Sequence, residues 1–123
     1  MNTEIQQLTD TIRQTAFALH CYLKNGLLEK VYENGLAHRL RKLGLKVKQQ
    51  HPIPVLDEDG TILGEYFADI VINNVIIIEL KAVKTLADEH TAQVLAYLRA
   101  THLKHGILIN FGNPKLQIQK LAR

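Results

Sequence analysis

The first third of the chain carries apolar residues at helical spacing, which predicts two helices. The first helix begins at Thr3, where Thr3 and Gln6 form a capping-box pattern, and it ends near Asn25-Gly26. The second helix follows directly and ends at Gly44. The apolar side of this second helix is predicted to consist of Leu27, Leu28, Val31, Leu36, Leu40 and Leu43.

The rest of the chain is predicted to contain five strands and one helix. The strands cover residues 45–56, 61–72, 75–82, 106–111 and 115–121. The helix covers residues 88–101, and its inward residues are predicted to be Ala92, Leu95, Ala96 and Leu98. Pro52 and Pro54 favour an edge position for the first strand, because proline cannot donate to a strand ladder. This order of elements predicts an α/β sandwich with a mixed sheet.

Two acids and a lysine lie within an otherwise apolar hairpin of the predicted sheet. Between Asp69 and Lys81 the chain is built of Ile, Val and Leu, apart from Glu79 and the two asparagines of the turn. The second strand is apolar on both faces until Glu79, which is typical of a central strand covered by helices. Burying charge in such surroundings is costly unless the charges pair or hold a metal. Two acids and a lysine are the set needed for metal-assisted phosphodiester hydrolysis, so the pattern predicts a site.

The register of this hairpin decides whether the two acids meet. A two-residue turn at Asn73-Asn74 would pair Asp69 with Ile78 and place Glu79 on the opposite face. A three-residue loop or a bulge would instead pair Asp69 with Glu79. Directly opposed carboxylates repel each other, and a divalent cation between them removes that repulsion. We therefore expect an odd-length turn or a bulge, and a metal ion at the acids.

The composition is that of one globular domain spanning residues 1–123, which we expect in the cytoplasm. Its 123 residues suffice for a single core. No apolar run approaches the ~20 residues of a membrane span, and the N-terminus lacks a signal-peptide pattern. Cys21 is the only cysteine, which excludes an internal disulfide and favours a reducing compartment. The net charge of +3 and the pI near 9.1 permit a polyanionic partner without requiring one.

At these charged residues the chain resembles the PD-(D/E)XK nuclease superfamily. The superfamily motif is an acid, a variable gap and then acid-x-Lys on the next strand. Asp69 takes the first position and Glu79-Leu80-Lys81 the second, whereas Ala68 stands in place of the motif's proline. The resemblance implies a restriction-endonuclease-like αβββαβ core with a mixed central sheet flanked by helices.

Two further motifs indicate which families of this superfamily the chain resembles. Gln93 and Tyr97 resemble the Gln-x-x-x-Tyr motif of RecB-type nucleases of this superfamily. The start of the second helix, Gly26-Leu-Leu-Glu29-Lys-Val-Tyr32, is similar to the signature of the GxxExxY family. This second similarity extends from about residue 20 to residue 111.

The resemblance also implies a role for each site residue. Asp69 and Glu79 are expected to bind Mg²⁺, for which Mn²⁺ can substitute, and Lys81 is expected to orient or activate the attacking water. Glu29 is the implied further carboxylate, with Glu33 one turn later as its competitor. Gln93 and Tyr97 share a helical face and would contact substrate phosphate or brace the lysine. Tyr32 and the six histidines are assigned no chemistry, Tyr32 being a packing residue with a hydrogen-bonded hydroxyl.

The resulting hypothesis is a Mg²⁺-dependent nuclease that acts on DNA. Several alternatives stay open from the sequence. If the site has no catalytic role, Asp69 and Glu79 form ordinary salt bridges and Lys81 pairs with Glu79 at the surface. Gln93 and Tyr97 are then only the polar stripe of an amphipathic helix. The chain would then be a catalytically inactive nucleic-acid-binding or protein-interaction module that retains the nuclease fold. A homodimer, or a partner protein that supplies DNA binding, is a further possibility.

Overall fold

Three helices and five strands make up residues 3–123, which are the residues that the computed structural model describes. The helices are α1 (Thr3–Leu23), α2 (Glu29–Lys42) and α3 (Asp88–Thr101). The strands are β1 (Val47–Leu56), β2 (Ile62–Ile72), β3 (Ile76–Lys81), β4 (His105–Asn110) and β5 (Gln117–Ala122). The predicted order of helices and strands is confirmed, and α3 has the predicted bounds.

The strands form one mixed sheet in the order β1-β2-β3-β4-β5. The pair β3–β4 is parallel and the other three pairs are antiparallel. The strand that carries Glu79 and Lys81 therefore occupies the centre, as its apolar character predicted. Pro52 and Pro54 lie on the edge strand β1, where their missing N–H groups cost no ladder bond. No helix within residues 3–123 is long and apolar enough to cross a membrane.

The core has two layers, one on each face of the sheet. Helices α1 and α2 pack on one face through Ile12, Ala16, Leu36 and Leu40, against a set of buried aliphatic residues from β2, β3 and β4. These are Ile70, Ile72, Ile76, Ile78, Leu80, Ile107 and Ile109. Helix α3 packs on the opposite face, where the buried residues are Val71, Ile77, Leu108, Val94, Tyr97 and Leu98. A sheet covered on both faces explains why β3 is apolar on both sides.

The β2–β3 turn has the odd length that the two acids require. Ile72 pairs with Ile76, so that three residues form the loop. Asn73 and Asn74 both have positive φ, 51° and 58°, a backbone conformation that asparagine tolerates better than most residues. Continuing this register places Asp69 opposite Glu79. Of the two predicted alternatives, a three-residue loop or a bulge, the structure has the three-residue loop.

The predicted apolar side of α2 is wrong at four of its six positions. Leu27, Leu28, Val31 and Leu43 are exposed, and the helix begins only at Glu29. The buried residues of α2 are instead Tyr32, Glu33, Leu36, Ala37 and Leu40.

Tyr32 explains why the preceding leucines lie outside. Its hydroxyl donates to the Lys24 carbonyl oxygen at 2.6 Å and accepts from the Leu27 N–H at 3.1 Å. Its ring stacks on Phe111, with 4.7 Å between ring centroids. The loop before α2 is thus tied to the buried tyrosine, which leaves Leu27 and Leu28 toward solvent. The prediction that Tyr32 packs with a hydrogen-bonded hydroxyl is confirmed.

The inward side of α3 also differs from its prediction at one residue. Ala92 is exposed, whereas Leu98 is buried and Leu95 and Ala96 are partly buried. Val94 and Tyr97 fill the inward positions. The bulky Tyr97 ring decides which side of α3 faces the sheet, because it covers more apolar surface than an alanine methyl.

Gly112 allows the loop after β4 to approach the loop after β3, next to Lys81. A Cβ atom at Gly112 would overlap the backbone of Ala82 and Val83. We expect Gly112→Ala to lower the free energy of unfolding by about 1–3 kcal/mol, since the backbone must move to admit the methyl group. Urea denaturation measures this change. Gly64→Ala is the matched control, because its methyl group would meet open space. Equal stabilities of the two variants would contradict this close approach.

Candidate active site

The two acids of the hairpin replace the backbone ladder where β2 and β3 part. The regular pairing runs from Ile72 as far as Ile70 opposite Ile78. Beyond it, the Asp69 backbone N–H donates to Glu79 Oε1 at 2.8 Å, and the Leu80 N–H donates to Asp69 Oδ2 at 2.9 Å. Each carboxylate thus binds a backbone donor of the opposite strand. The structure brings Asp69 and Glu79 together, as the register predicted.

Burial raises the pKa of both acids. Glu79 is only 4% exposed, and this burial, followed by the charge of Asp69, raises the pKa of Glu79 to about 9. Burial likewise raises the pKa of Asp69, although the Leu80 N–H bond acts to lower it. Two facing carboxylates in a desolvated site cannot both ionise without a compensating cation. In the absence of a cation, the pair therefore retains a proton at neutral pH.

Lys81 lies at the end of β3, two residues after Glu79, and is partly buried. Its Nζ donates to Gln93 Oε1 on α3 at 3.2 Å. The charge of Lys81 lowers the pKa of Glu79 and of Glu29, so the ammonium group acts on both carboxylates. The described part of the chain contains no ion pair between Lys81 and Glu79. A hydrogen bond to Gln93, and not a surface ion pair, therefore holds the lysine beside the acids.

Tyr97 lies one helical turn after Gln93 and faces the same site. It is buried, and desolvation, followed by the charges of Glu79 and Asp69, raises its pKa to about 12. Its hydroxyl consequently keeps its proton at all physiological pH values and remains a potential donor. The structure thus places Gln93 and Tyr97 beside the acids. Their roles toward a substrate stay predictions.

Glu29 and Glu33 of α2 lie in different surroundings. Glu29 is exposed at the start of α2, and desolvation, followed by the charge of Asp69, raises its pKa. Glu33 is buried, and its Oε2 accepts from Lys30 Nζ at 3.0 Å and from Gln49 Nε2 at 2.8 Å. The carboxylate of Glu33 is therefore bound within the protein. This difference favours Glu29 as the acid available to a ligand.

Gln50 is a site residue that the sequence did not predict. It has a positive φ of 52° within β1, opposite Asp69, where the β1–β2 pairing skips one residue pair. Its Nε2 donates to Glu33 Oε1 at 2.8 Å and to Asp69 Oδ1 at 3.3 Å. Gln50 thus links α2 to the Asp69 carboxylate. The only signal in the sequence is the polar pair Gln49-Gln50 within an extended segment, which does not foretell a left-handed backbone.

The carboxylates of Asp69 and Glu79 are suitable ligands for a divalent cation, although the two do not form a complete ligand set. No group of three or more His, Cys, Asp or Glu side chains in residues 3–123 is placed to hold a metal ion. Asp69 and Glu79 are nevertheless hard oxygen donors, and their raised pKa values reflect burial, which the charge of Lys81 offsets only in part at Glu79. Mg²⁺ typically takes one or two protein carboxylates and completes its octahedron with water and substrate phosphate. The pair fits that pattern, and Glu29 as a third ligand stays a prediction.

The family of the chain follows from a comparison of its sequence with family models. The model described as the PD-(D/E)XK nuclease superfamily matches residues 6–121. The chain belongs to this superfamily. PD-(D/E)XK nucleases generally use divalent metals, which agrees with the paired acids. No curated protein matches the sequence.

A solved structure shares the fold of this chain. A structure titled "Crystal structure of SSO0001" superposes with a TM-score of 0.62 and 19% sequence identity over 76% of this chain. At that identity the likeness concerns the fold alone. The match covers 49% of the other protein, so this chain spans about half of its length. The predicted restriction-endonuclease-like core is confirmed.

The raised pKa of Glu79 predicts that this PD-(D/E)XK domain loses stability as pH rises in metal-free buffer. Glu79 has a pKa of about 9 in the folded protein, against an ordinary value of 4.5. Between these values the folded state keeps a proton that the unfolded state has released. The contribution of Glu79 to the free energy of unfolding is therefore greatest below about pH 4.5, and it decreases as the pH rises toward about 9.

Urea denaturation in EDTA, repeated from about pH 5 to about pH 9, measures this dependence. Glu79→Gln should flatten the pH profile, because the amide has no proton to release. Glu89→Gln, at an exposed position of α3, should leave the profile unchanged. If Glu79→Gln retained the full slope, Glu79 would not be the titrating group.

Metal binding should stabilise the wild-type protein through the same pair of acids. A cation that binds only the folded state at about 100 times its Kd adds ~2.7 kcal/mol to the free energy of unfolding. Asp69→Asn should abolish this increment with Mg²⁺ or Mn²⁺. It should also raise the metal-free melting temperature, because it removes a buried ionisable group that opposes the ionisation of Glu79. Thermal denaturation with and without EDTA measures both effects, with Glu65→Gln on exposed β2 surface as the control. A metal-dependent shift that persists in Asp69→Asn would rule out Asp69 as a ligand.

Proposed function

We propose that the chain is a Mg²⁺-dependent nuclease of the GxxExxY family that hydrolyses phosphodiester bonds in DNA. The observation that supports this most is the facing pair of Asp69 and Glu79 at the point where β2 and β3 part, with Lys81 beside it. Mn²⁺ is expected to substitute for Mg²⁺. The exposed free thiol of Cys21 is in keeping with a reducing compartment such as the cytoplasm.

The GxxExxY signature has a physical explanation in the loop before α2. Gly26 has a φ of 111°, which a residue with a side chain rarely adopts. Tyr32 binds this loop through the Lys24 carbonyl oxygen and the Leu27 N–H. Glu29 then occupies the first position of α2, where its pKa responds to Asp69. The glycine and the tyrosine thus set the loop that presents the glutamate, which supports the assignment to this family.

Asp69 and Glu79 would hold the cation in the proposed reaction. A bound divalent cation supplies charge that polarises a phosphoryl oxygen and lowers the pKa of an attacking water. The two acids contribute negative charge that would otherwise be unpaired, and their backbone bonds keep them in place before the substrate arrives. This arrangement needs little reorganisation during the reaction, which is the basis of electrostatic catalysis.

Lys81 would offset the negative charge that develops on the scissile phosphate. Its Nζ already donates to Gln93 Oε1, which limits the positions that the flexible side chain can take. The remaining donors of the ammonium group can orient water or a phosphate oxygen. Tyr97 would add a neutral hydroxyl donor to substrate phosphate, because its raised pKa keeps it protonated.

A catalytically inactive nucleic-acid-binding or protein-interaction module is the second candidate function. It is favoured by the absence, within residues 3–123, of a ready group of three metal-ligating side chains. Such a module would keep the acids only for the hydrogen bonds that close the gap between β2 and β3. Cleavage assays separate the two candidates.

Lys81 provides the sharpest test of the nuclease. The purified protein is incubated with labelled single- and double-stranded DNA in Mg²⁺, Mn²⁺ or EDTA. Wild-type protein should cleave with either metal and not with EDTA. Lys81→Ala should lower the rate by about 10²–10³, the usual effect of removing a pre-placed donor to a developing charge. The metal-induced thermal shift should survive, since Asp69 and Glu79 remain.

Two further variants complete this test. Lys81→Arg should not restore cleavage, because the planar guanidinium is bulkier and stays protonated. Lys84→Ala, three residues later at an exposed position, should cleave like the wild type. Equal cleavage by Lys81→Ala and wild-type protein would make Lys81 a structural residue. Absence of any metal-dependent cleavage by the wild type would favour the inactive module.

A further inference from the structure

A cleft of about 620 Å³ lies between α3 and the end of the β1–β2 hairpin that extends beyond β3. Its volume is within the range of roughly 300–1,000 Å³ that is usual for pockets binding small organic groups. One wall of the cleft is supplied by the hairpin and the other by α3. The wall residues that matter here are Pro54, Leu56, Tyr66, Gln93, Tyr97 and Arg99.

The cleft is continuous with the candidate active site. Gln93 lines the cleft and also accepts the hydrogen bond from Lys81. Tyr97 lines the cleft as well, and the charges of Glu79 and Asp69 help to raise its pKa. A chain-like ligand that occupies the cleft would therefore pass directly to the acids.

Tyr66 gives the cleft an exposed aromatic surface. It is 52% exposed, and its ring centroid lies 5.7 Å from that of Tyr97 at an interplanar angle of 43°. Tyr97 and the hairpin thus support one part of the ring, while the rest faces the cleft. A supported but open aromatic ring is a surface on which a nucleobase can stack, and stacking accepts every base because each has a π face.

The charge of the cleft is complementary to a nucleic acid backbone. Arg99 is exposed on α3 and contributes a guanidinium group, and none of the residues that line the cleft is acidic. Guanidinium groups bind phosphate oxygens through paired hydrogen bonds. The cleft thus combines a stacking surface with a phosphate-binding group at one end and the candidate active site at the other.

We propose that this cleft binds an unpaired nucleotide of single-stranded DNA, with the base on Tyr66 and a phosphate at Arg99. The proposal rests on the proposed function for its class of ligand, and it adds a preference for single strands. In a duplex the bases are stacked on each other and only their edges reach the grooves, so that no base face is available to Tyr66. An unpaired base can enter the cleft while the neighbouring phosphate extends toward Lys81.

The test measures binding in EDTA, where cleavage does not occur. Fluorescence anisotropy follows a labelled 12-nucleotide oligothymidylate and a 12-base-pair duplex. Wild-type protein should bind the single strand more tightly than the duplex. Tyr66→Ala should raise the Kd for the single strand by roughly 5- to 150-fold, from the usual contribution of one stacked base. Tyr66→Phe should restore binding, because it keeps the ring.

Arg99→Ala provides an independent measurement. Removing one phosphate contact to a single strand should reduce the slope of log K against log salt by about 0.7. Tyr66→Ala should leave this slope unchanged, since stacking releases no counterions. Phe67→Ala and Arg13→Ala are the matched controls: Phe67 is similarly exposed beside Tyr66 without lining the cleft, and Arg13 lies on α1. Both controls should leave the affinity for the single strand near that of the wild type.

The outcomes separate this proposal from the nuclease proposal. If Tyr66→Ala binds the single strand like the wild type, or if the duplex is bound as tightly as the single strand, the cleft proposal is overturned even when the protein cleaves DNA. If the single strand binds through Tyr66 but no metal supports cleavage, the cleft proposal stands and the nuclease proposal fails. Folding of each variant is checked by its thermal melting temperature.

Discussion

The fold depends on two carboxylates that stand in for a stretch of backbone ladder. Where β2 leaves β3, the Asp69 N–H is bound by Glu79 and the Leu80 N–H is bound by Asp69. These bonds satisfy backbone donors that the parted strands can no longer pair, and a buried unpaired donor is costly. The hairpin can therefore extend beyond β3 without leaving these two donors unpaired. The same bonds bring two carboxyl groups into a buried position, which is the origin of the site.

Residues from both helical layers meet at Asp69. Ile70 and Ile72 of β2 pack with α1 and α2, whereas Ala68 packs in the cluster that contains Tyr97 of α3. Val71 also packs in that cluster, so β2 contacts both layers, and it is the even-numbered residues that change layer at Asp69. This change allows α2 to reach the carboxylate through Gln50, while α3 reaches the neighbouring lysine through Gln93.

The sequence predicted the parts of this arrangement that depend on local pattern. The uninterrupted apolar run before Glu79 predicted a central strand, and the requirement that Asp69 and Glu79 share a face predicted an odd-length turn or a bulge. The apolar side of α2 could not be predicted, because it depends on the hydrogen bonds of Tyr32 to a loop and on its stacking with the distant Phe111. The left-handed backbone of Gln50 likewise depends on contacts with other elements. Spacing also gave no means to separate Glu29 from Glu33, since their difference arises from partners on β1.

The three-residue loop limits how the hairpin can change during evolution. Substitution at its first two positions is restricted to residues that tolerate positive φ, and Asn73 also accepts a bond from the Lys46 N–H through Oδ1. The lengths of the flanking strand segments are restricted more strictly than the composition of the loop. A residue deleted or inserted between Asp69 and Ile72, or between Ile76 and Glu79, would turn the Asp69 side chain away from Glu79, because side chains alternate between the faces of a strand. Such a change keeps the site only when the other strand changes by one residue as well or when the extra residue forms a bulge, so that the equal distance of the two acids from the loop is what the hairpin must preserve.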